Sequence, residues 1–183
     1  MRVITGDARG VPMATLPGED VRPTSQRVKE AMFSAIQFEI SGRRVLDAFA
    51  GSGQLGVEAL SRGAGSCLFL DLDGKALAMV KQNITRAKLL GKAKLMQVDA
   101  VQYMRRAMEG FGLIFLDPPY GSQLLHAAIP AAAELLGEDG VLVCEAPAQA
   151  SLPEQCGGVP LRKEYRYGKT KILVYRKMKD EMI

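Results

Sequence analysis

The tetrapeptide Asp117-Pro118-Pro119-Tyr120 combines residue types that suit chemistry on an amino group. It follows the apolar residues 113–116, which predict a strand, and open α/β sheets bind ligands at the carboxyl ends of their strands. The prolines fix φ and carry no N–H, so the nearby carbonyls are rigid and free to accept hydrogen bonds. Asp117 and one such carbonyl could accept both hydrogens of a nucleobase amino group, while Tyr120 stacks on the ring. The motif therefore predicts catalysis by positioning, with a simple turn as the alternative.

A glycine-rich turn precedes this motif by about 60 residues. Residues 45–56 read VLDAFAGSGQLG, an apolar strand that leads into Gly51, Gly53 and Gly56 with G-x-G-x-x-G spacing. Asp71 follows Gly51 by 20 residues, where dinucleotide-binding folds carry an acid for a ribose hydroxyl. Glycines in such a turn let the backbone approach a ligand closely, so the turn predicts a nucleotide-like ligand.

Asp47 decides between two classes of ligand. It lies four residues before Gly51, where a dinucleotide would place its pyrophosphate. A carboxylate repels phosphate charges, and it attracts the sulfonium and ammonium groups of S-adenosylmethionine, which has no phosphate. We therefore expect S-adenosylmethionine and not NAD. The expected cofactor-binding residues come from the glycine turn and from the ends of three strands: Asp47, Phe49, Ala50, Gly51, Ser52, Gly53, Gly56, Asp71 and Asp99.

The acids after the second and third predicted strands have separate expected roles. Asp71 ends the apolar run 68–70 and is expected to bind the ribose, whereas Asp73 is expected to cap the next helix. Asp99 follows the third strand and is expected to accept a hydrogen bond from the adenine amino group. A plain strand-end or capping role is the alternative for each acid.

The rest of the chain predicts a scaffold for these motifs. From residue 42, short apolar runs alternate with amphipathic stretches, which predicts a parallel sheet with helices on both faces. The expected strands are residues 44–49, 67–70, 93–98, 113–116 and 140–144. The expected helices are residues 55–62, 74–90, 100–109 and 123–136. A closing antiparallel hairpin is expected from residues 161–167 and 170–175.

The first 40 residues differ from this pattern. Turn residues within 2–20 predict a small hairpin, and a helix is expected to follow it. The apolar face of that helix has a spacing of three to four residues: Val28, Met32, Ala35 and Ile36. We expect one domain over residues 1–183, with 1–40 as an extension and 41–183 as the cofactor-binding core.

Composition sets the broad class of the protein. Hydrophobic residues make up 48% of the 183 residues and charged residues 24%, which excludes a disordered or fibrous chain. No apolar run nears the roughly 18 residues of a membrane span, and the start lacks the apolar core of a signal peptide. We therefore expect a cytoplasmic protein without membrane contacts, and we expect it to be a monomer. The three cysteines are widely spaced, so neither a metal site nor a disulfide is expected.

Positive charge is concentrated near the carboxyl end. Residues 162–179 hold eight basic residues and one acid, which leaves 16 basic and 19 acidic residues in the rest of the chain. This asymmetry suits an anionic partner such as nucleic acid, and a solvated basic strand pair is equally consistent with it.

Taken together, these residues resemble the class I, S-adenosylmethionine-dependent amino-methyltransferases, in particular the small bacterial 16S rRNA guanine-N2 methyltransferases of the RsmD type. Asp-Pro-Pro-Tyr also occurs in DNA adenine methyltransferases, so the segment Arg22-Pro23-Thr24 is the more specific part of the resemblance. The matching segments cover nearly the whole chain: Arg2-Val3-Ile4, Arg9-Gly10, Arg22-Pro23-Thr24, Arg27-Val28, Glu30, residues 47–56, Glu58-Ala59-Leu60, residues 117–120 and residues 167–175.

The resemblance implies a Rossmann-like, doubly wound, seven-stranded sheet, with an N-terminal hairpin and helix that aid RNA binding. It implies methylation of the N2 amino group of guanine 966, with 16S rRNA or a small-subunit assembly particle as the partner. Because Arg9 and Arg22 flank the expected hairpin and helix N-terminus, they are expected to reach phosphates beside the mouth of the cofactor site. Surface ion pairs with Glu19, Asp20 and Glu30 are the alternative. The arginines expected to contact phosphates are Arg2, Arg9, Arg22 and Arg27. Asp7 and Val11 occupy positions that are often basic in the family, which predicts weaker binding of RNA by the hairpin.

Two other functions are consistent with the motifs. A DNA adenine-N6 methyltransferase would share the tetrapeptide, although the roughly 60 residues after Tyr120 leave no room for a target-recognition domain. A non-catalytic RNA-binding assembly protein on the same scaffold would not need Asp47, Asp117 and Tyr120. A methyl-transfer assay separates these possibilities.

Overall fold

The computed structural model describes residues 1–16, 24–119 and 123–178. The helices in this part of the chain are α1 (Thr24–Ala35), α2 (Gln54–Ser61), α3 (Gly74–Arg86), α4 (Ala100–Arg106) and α5 (Leu124–Glu134), and Leu90–Lys92 forms a 3-10 turn. The strands are β1 (Arg44–Asp47), β2 (Ser66–Asp71), β3 (Ala93–Gln97), β4 (Phe111–Leu116), β5 (Leu136–Pro147), β6 (Gln155–Cys156), β7 (Val159–Tyr167) and β8 (Thr170–Arg176). None of these helices is long and apolar enough to cross a membrane.

The strands form one mixed sheet in the order β3-β2-β1-β4-β5-β8-β7-β6. Strands β1 to β5 are parallel, and β8 lies antiparallel between β5 and β7. The Rossmann-like sheet and its closing hairpin are therefore confirmed. The expected number of seven strands is one too low, because residues 155–156 pair with the start of β7 as an additional short strand. The strand order reverses between β1 and β4, and ligands of open α/β sheets bind at such a switch point.

The strands alternate between two hydrophobic cores. Val45 and Phe115 lie in the core under α1, α2 and α3, whereas Leu46 and Ile114 lie in the core under α4 and α5. All four side chains are fully buried. Side chains two residues apart in a strand lie on the same face of the sheet. A polar residue two positions after Val45 or Phe115 therefore lies on the face that α1, α2 and α3 cover.

Several element boundaries differ from the sequence expectations. The predicted helix 74–90 ends at Arg86, because Lys88 adopts a left-handed φ of 60°. The N–H of Lys88 donates to the Thr85 carbonyl and that of Leu89 donates to the Ile84 carbonyl, which is a Schellman ending. In the other direction, β5 is much longer than the predicted 140–144.

The N-terminal residues form the expected hairpin and helix. The hairpin is short: the Val3 N–H donates to the Val11 carbonyl, and the Gly10 N–H donates to the Val3 carbonyl. Helix α1 then packs on the sheet through Val28 and Met32, each about 1% exposed. Of the predicted apolar face, Ile36 is also buried and Ala35 is half-buried.

One buried carboxylate holds the hairpin, α1 and α2 together. Glu58 in α2 is fully buried and accepts hydrogen bonds from the backbone N–H groups of Ile4 at 2.8 Å and Thr5 at 3.0 Å. It also accepts one from Arg62 Nε at 2.8 Å, and Lys29 Nζ of α1 lies 3.4 Å from its second oxygen. A buried carboxylate with this many donors fixes the position of the N-terminal segment on the core.

A second anchor connects the N-terminal segment with the glycine turn. Buried Asn83 of α3 accepts from the Ala14 N–H and donates to the carbonyls of Ala14 and Ser52, at 2.8 to 2.9 Å.

At the hairpin itself, a Cβ on Gly6 would lie 1.8 Å from the Ser61 carbonyl oxygen. The chain therefore passes so close to α2 that only glycine fits there.

Candidate active site

A cleft of about 560 Å³ opens at the carboxyl ends of the five parallel strands. This volume suits a ligand of the size of a cofactor. One acidic residue from the end of each strand, or just after it, lines the cleft: Asp99, Asp71, Asp47, Asp117 and Glu145 in the spatial order from β3 to β5. Asp73 also lines it.

These acids share one face of the sheet. Asp47 lies two residues after Val45, and Asp117 lies two residues after Phe115. Val45 and Phe115 belong to the core under α1, α2 and α3, so both acids lie on that face. Neighbouring strands are about 4.8 Å apart, so the acids form a row across the sheet edge. The row brings together the predicted cofactor-binding and catalytic motifs, which are about 60 residues apart in the chain.

The glycine turn lines the same cleft as this row of acids. Phe49, Ala50, Gly51 and Ser52 line the cleft, as expected for cofactor-binding residues. Gly51 has a φ of 54°, and its N–H donates to Asp71 Oδ2 at 2.9 Å. The positive φ favours glycine, and the hydrogen bond couples the turn to the end of β2.

Two predicted cofactor ligands are not among the residues that line the cleft. Gly53 precedes α2 with a φ of 80°, and a Cβ there would lie 3.1 Å from Val80. The Gly56 N–H donates to Asp47 Oδ2 at 2.9 Å, and a Cβ on Gly56 would lie 2.2 Å from the Phe69 ring. These glycines shape the turn and let α2 pack closely on β2, and contact with the cofactor stays a prediction for both.

Asp71, Asp73 and Asp99 line the cleft and also accept hydrogen bonds from nearby backbone N–H groups. Asp71 accepts a second hydrogen bond, from the Asp73 N–H at 2.9 Å. Asp73 caps α3 by accepting from the Lys75 N–H at 2.8 Å, which confirms the predicted cap. Asp99 caps α4 by accepting from the Gln102 N–H at 2.7 Å. The capping alternative therefore holds for Asp99, although this residue also lines the cleft.

The predicted catalytic segment reaches the same cleft. Asp117, Pro118 and Pro119 follow β4 directly and line the cavity together with the glycine turn. The Asp117 side chain is half-buried. Tyr120, the fourth predicted member, lies outside the described residues.

Two charged residues of the cleft, Lys29 and Glu145, are not among those predicted from the sequence. Lys29 is 3% exposed and is the one basic side chain among the described residues that line the cleft. Burial lowers the pKa of its ammonium group, and the nearby Glu58 carboxylate opposes this shift. A signal was available, since Lys29 lies beside Val28 and three residues before Met32, on the apolar side of α1. Glu145 carried no comparable signal.

The predicted RNA-binding arginines are spread over the N-terminal segment. The Arg2 guanidinium donates to the Gly10 carbonyl at 2.7 Å, and Arg27 is exposed on α1.

Arg9 is also exposed. The N–H of the preceding residue, Ala8, donates a hydrogen bond to the Ser61 hydroxyl, at the end of α2 remote from the glycine turn. Since α2 is roughly 12 Å long, the backbone at Arg9 lies towards the far end of this helix from the cleft, and contact of Arg9 with phosphates stays a prediction. Arg22 lies outside the described residues.

Much of the positive charge near the carboxyl end has partners within the protein. Arg166 and Lys171 form ion pairs with Glu164, and Arg176 forms one with Glu39. The Lys177 ammonium donates to the Leu136 carbonyl at 2.8 Å. These contacts favour the interpretation of this region as a basic strand pair, β7 and β8.

Comparisons with known proteins agree with this geometry. A family model described as "Conserved hypothetical protein 95" matches residues 1–176. YlbH of Bacillus subtilis is 41% identical over 182 residues, which is 97% of this chain and 99% of that protein. Ribosomal RNA small subunit methyltransferase D of Escherichia coli K12 is 29% identical over 181 residues, or 97% of this chain and 90% of that protein.

The solved structure of yhhF from Escherichia coli has the same fold. It superposes with a TM-score of 0.87 and 28% identity, and the match covers 97% of this chain and 98% of that one. The similarity thus extends over the N-terminal hairpin as well as the sheet. The chain belongs to the family described as Conserved hypothetical protein 95, the RsmD type of the class I, S-adenosylmethionine-dependent methyltransferases.

Proposed function

We propose that this protein transfers a methyl group from S-adenosylmethionine to the N2 amino group of a guanine in 16S rRNA, guanine 966 by family resemblance. One observation carries the proposal: Asp117, Pro118 and Pro119 line the same cleft as the glycine turn. The relatives named ribosomal RNA small subunit methyltransferase D support rRNA as the substrate class.

The charges of the cleft fit this cofactor. Six carboxylates and one ammonium group line the cleft in the described part of the chain. S-adenosylmethionine has two positive groups and one carboxylate, and it supplies a methyl group on a positively charged sulfur. The acids would attract its positive groups, and Lys29 would pair with its carboxylate. The pyrophosphate of NAD would face the row of acids instead, which is unfavourable.

The strand order suggests how the cofactor would lie. Asp99 and Asp71, at the ends of β3 and β2, would bind the adenine and ribose. Asp71 uses each carboxylate oxygen for one backbone N–H and has lone pairs left for ribose hydroxyls. Asp47 and Lys29 would then hold the methionine part above β1. The reacting methyl group would thereby face Asp117 at the end of β4.

At the target, the chain would act by holding the amino group. Asp117 and a carbonyl of the Pro118–Pro119 segment would accept hydrogen bonds from the two N2 hydrogens. These bonds would shift electron density onto the nitrogen and fix the direction of its lone pair. The target base must lie outside a double helix, because a stacked and paired base cannot reach the cleft. We further propose that residues 1–40 bind the RNA, with Arg2, Arg9, Arg22 and Arg27 as phosphate contacts.

Mapping of methylated nucleotides tests the proposal. 16S rRNA from cells that lack the gene should lack one N2-methylguanine that the parent strain contains, and the purified protein should restore it. Asp117→Ala should reduce the rate by about 10²–10³-fold, as does the loss of one preorganised polar group, with little change in cofactor affinity. Loss of N6-methyladenine from DNA would favour the adenine-specific alternative, and no change in any methylated base would favour the non-catalytic one.

A further inference from the structure

We propose that Glu145 selects guanine by accepting a hydrogen bond from the guanine N1–H while Asp117 holds the adjacent N2 amino group. The inference rests on the proposed function and adds to it the residue that reads the base. Glu145 is half-buried at the carboxyl end of β5 and lines the cleft.

The strand register makes Glu145 and Asp117 neighbours. Strands β4 and β5 are parallel, and their register ends with Leu116 beside Cys144. Asp117 directly follows β4, Glu145 is the next residue of β5, and both line the cleft. Parallel strands lie about 4.8 Å apart, and side chains in register point to the same face. The two carboxylates therefore form a pair on the cleft side of the sheet.

The strand order shows which ligand this pair faces. The proposed cofactor-binding acids lie at the ends of β3, β2 and β1, and β5 lies beyond β4 on the opposite side. Glu145 is therefore separated from the cofactor region by Asp117. A base whose amino group is held by Asp117 extends away from the cofactor and towards Glu145.

The chemistry of the pair favours guanine. On guanine, the N1–H and the N2 amino group are adjacent donors, and an ionised carboxylate offers acceptors only. On adenine, the N1 atom beside the amino group carries a lone pair, which would face the Glu145 carboxylate. A site that is built to accept from an N–H discriminates against an analogue with a lone pair at that position, because two acceptors then face each other.

The base analogue 2-aminopurine tests this contact, because it keeps the 2-amino group and has no proton on N1. Small-subunit particles would be reconstituted with guanine, or with 2-aminopurine in its place, at the mapped position. We expect the wild-type kcat/KM to be about 10- to 100-fold lower for 2-aminopurine. In Glu145→Gln this ratio should fall at least about tenfold, because an amide can either donate or accept.

A matched variant and a binding measurement separate specificity from damage. Glu138→Gln changes an exposed glutamate of the same strand outside the cleft, and it should keep the wild-type ratio. S-adenosylhomocysteine should bind Glu145→Gln as it binds the wild type, and Glu145→Ala serves if the amide variant does not fold. Equal wild-type rates on the two particles, or a wild-type ratio in the variants, would overturn the inference. Absence of methylation on the guanine particle would instead overturn the proposed function.

Discussion

At the scale of single residues, Lys29 is unusual because it is a buried cation beside a cleft of acids. Its ion-pair partner Glu58 already accepts hydrogen bonds from Ile4, Thr5 and Arg62. Glu58 therefore does not depend on Lys29 alone for compensation of its charge. A cofactor carboxylate at Lys29 would favour the charged ammonium and so oppose the lowering of its pKa by burial.

Lys29→Met should weaken the binding of S-adenosylhomocysteine at least about tenfold, because a charge-assisted hydrogen bond is lost. The same variant should bind 5′-methylthioadenosine, which lacks the carboxylate, as the wild type does. Calorimetry with both ligands measures the difference, and Lys75→Met, at an exposed lysine outside the cleft, is the control. An equal loss for both ligands would assign Lys29 a structural role only.

At the scale of elements, the site depends on how closely α2 packs on β2. Gly56 allows this approach, since a Cβ there would lie 2.2 Å from Phe69 Cε1 and 2.8 Å from Cys67 Sγ. Both neighbouring side chains are buried, so they have little space to move. The same glycine donates its N–H to Asp47, which connects helix packing with the position of a cleft acid.

Gly56→Ala should lower the free energy of unfolding by about 1–3 kcal/mol, the usual range for overpacking of a core. It should also weaken cofactor binding, because α2 and the glycine turn must shift. Urea denaturation and calorimetry measure the two effects. Gly91→Ala is the control, since nothing lies within 4 Å of a Cβ at that exposed position. An unchanged denaturation midpoint in Gly56→Ala would contradict the packing argument.

At the scale of the whole molecule, the N-terminal segment is docked on one side of the sheet. Glu58, Ser61 and Asn83 anchor it to α2 and α3, and α1 covers the same side. Arg9 and Arg27 are exposed on this segment, and in the described part of the chain neither forms an ion pair. Since Ala8 contacts the end of α2 remote from the glycine turn, an RNA that contacts both Arg9 and the cleft would extend along α2.

Arg9→Ala and Arg27→Ala should each reduce the slope of log affinity for 16S rRNA against log salt by roughly 0.7–0.9, because one phosphate contact is lost. Affinity for S-adenosylhomocysteine should not change. Arg105→Ala removes an exposed arginine from α4, which packs on the other core, and should leave the slope as it is. Slopes identical to the wild type in all three variants would make the N-terminal arginines structural.

The parallel strands, the glycine turn and the acids at the strand ends can be predicted from the amino-acid sequence. Apolar runs that alternate with amphipathic stretches predicted the parallel strands, and Gly51, Asp71 and Asp117 all lie at the cleft where their motifs predicted them. Such features are local, because a strand end, a turn or a cap depends on residues close together in the chain. Helix ends are harder to predict, because the residue that ends α3 in a left-handed conformation is Lys88 and not a glycine.

Which of these residues meet depends on how distant parts of the chain pack together. Glu145 lies beside Asp117 because β5 pairs with β4, and Lys29 lines the cleft because α1 packs on the sheet. The same applies to Glu58, whose partners Ile4 and Thr5 are more than 50 residues away in the chain. Strand order and helix docking follow from the burial of entire faces, a collective free energy that no single motif contains.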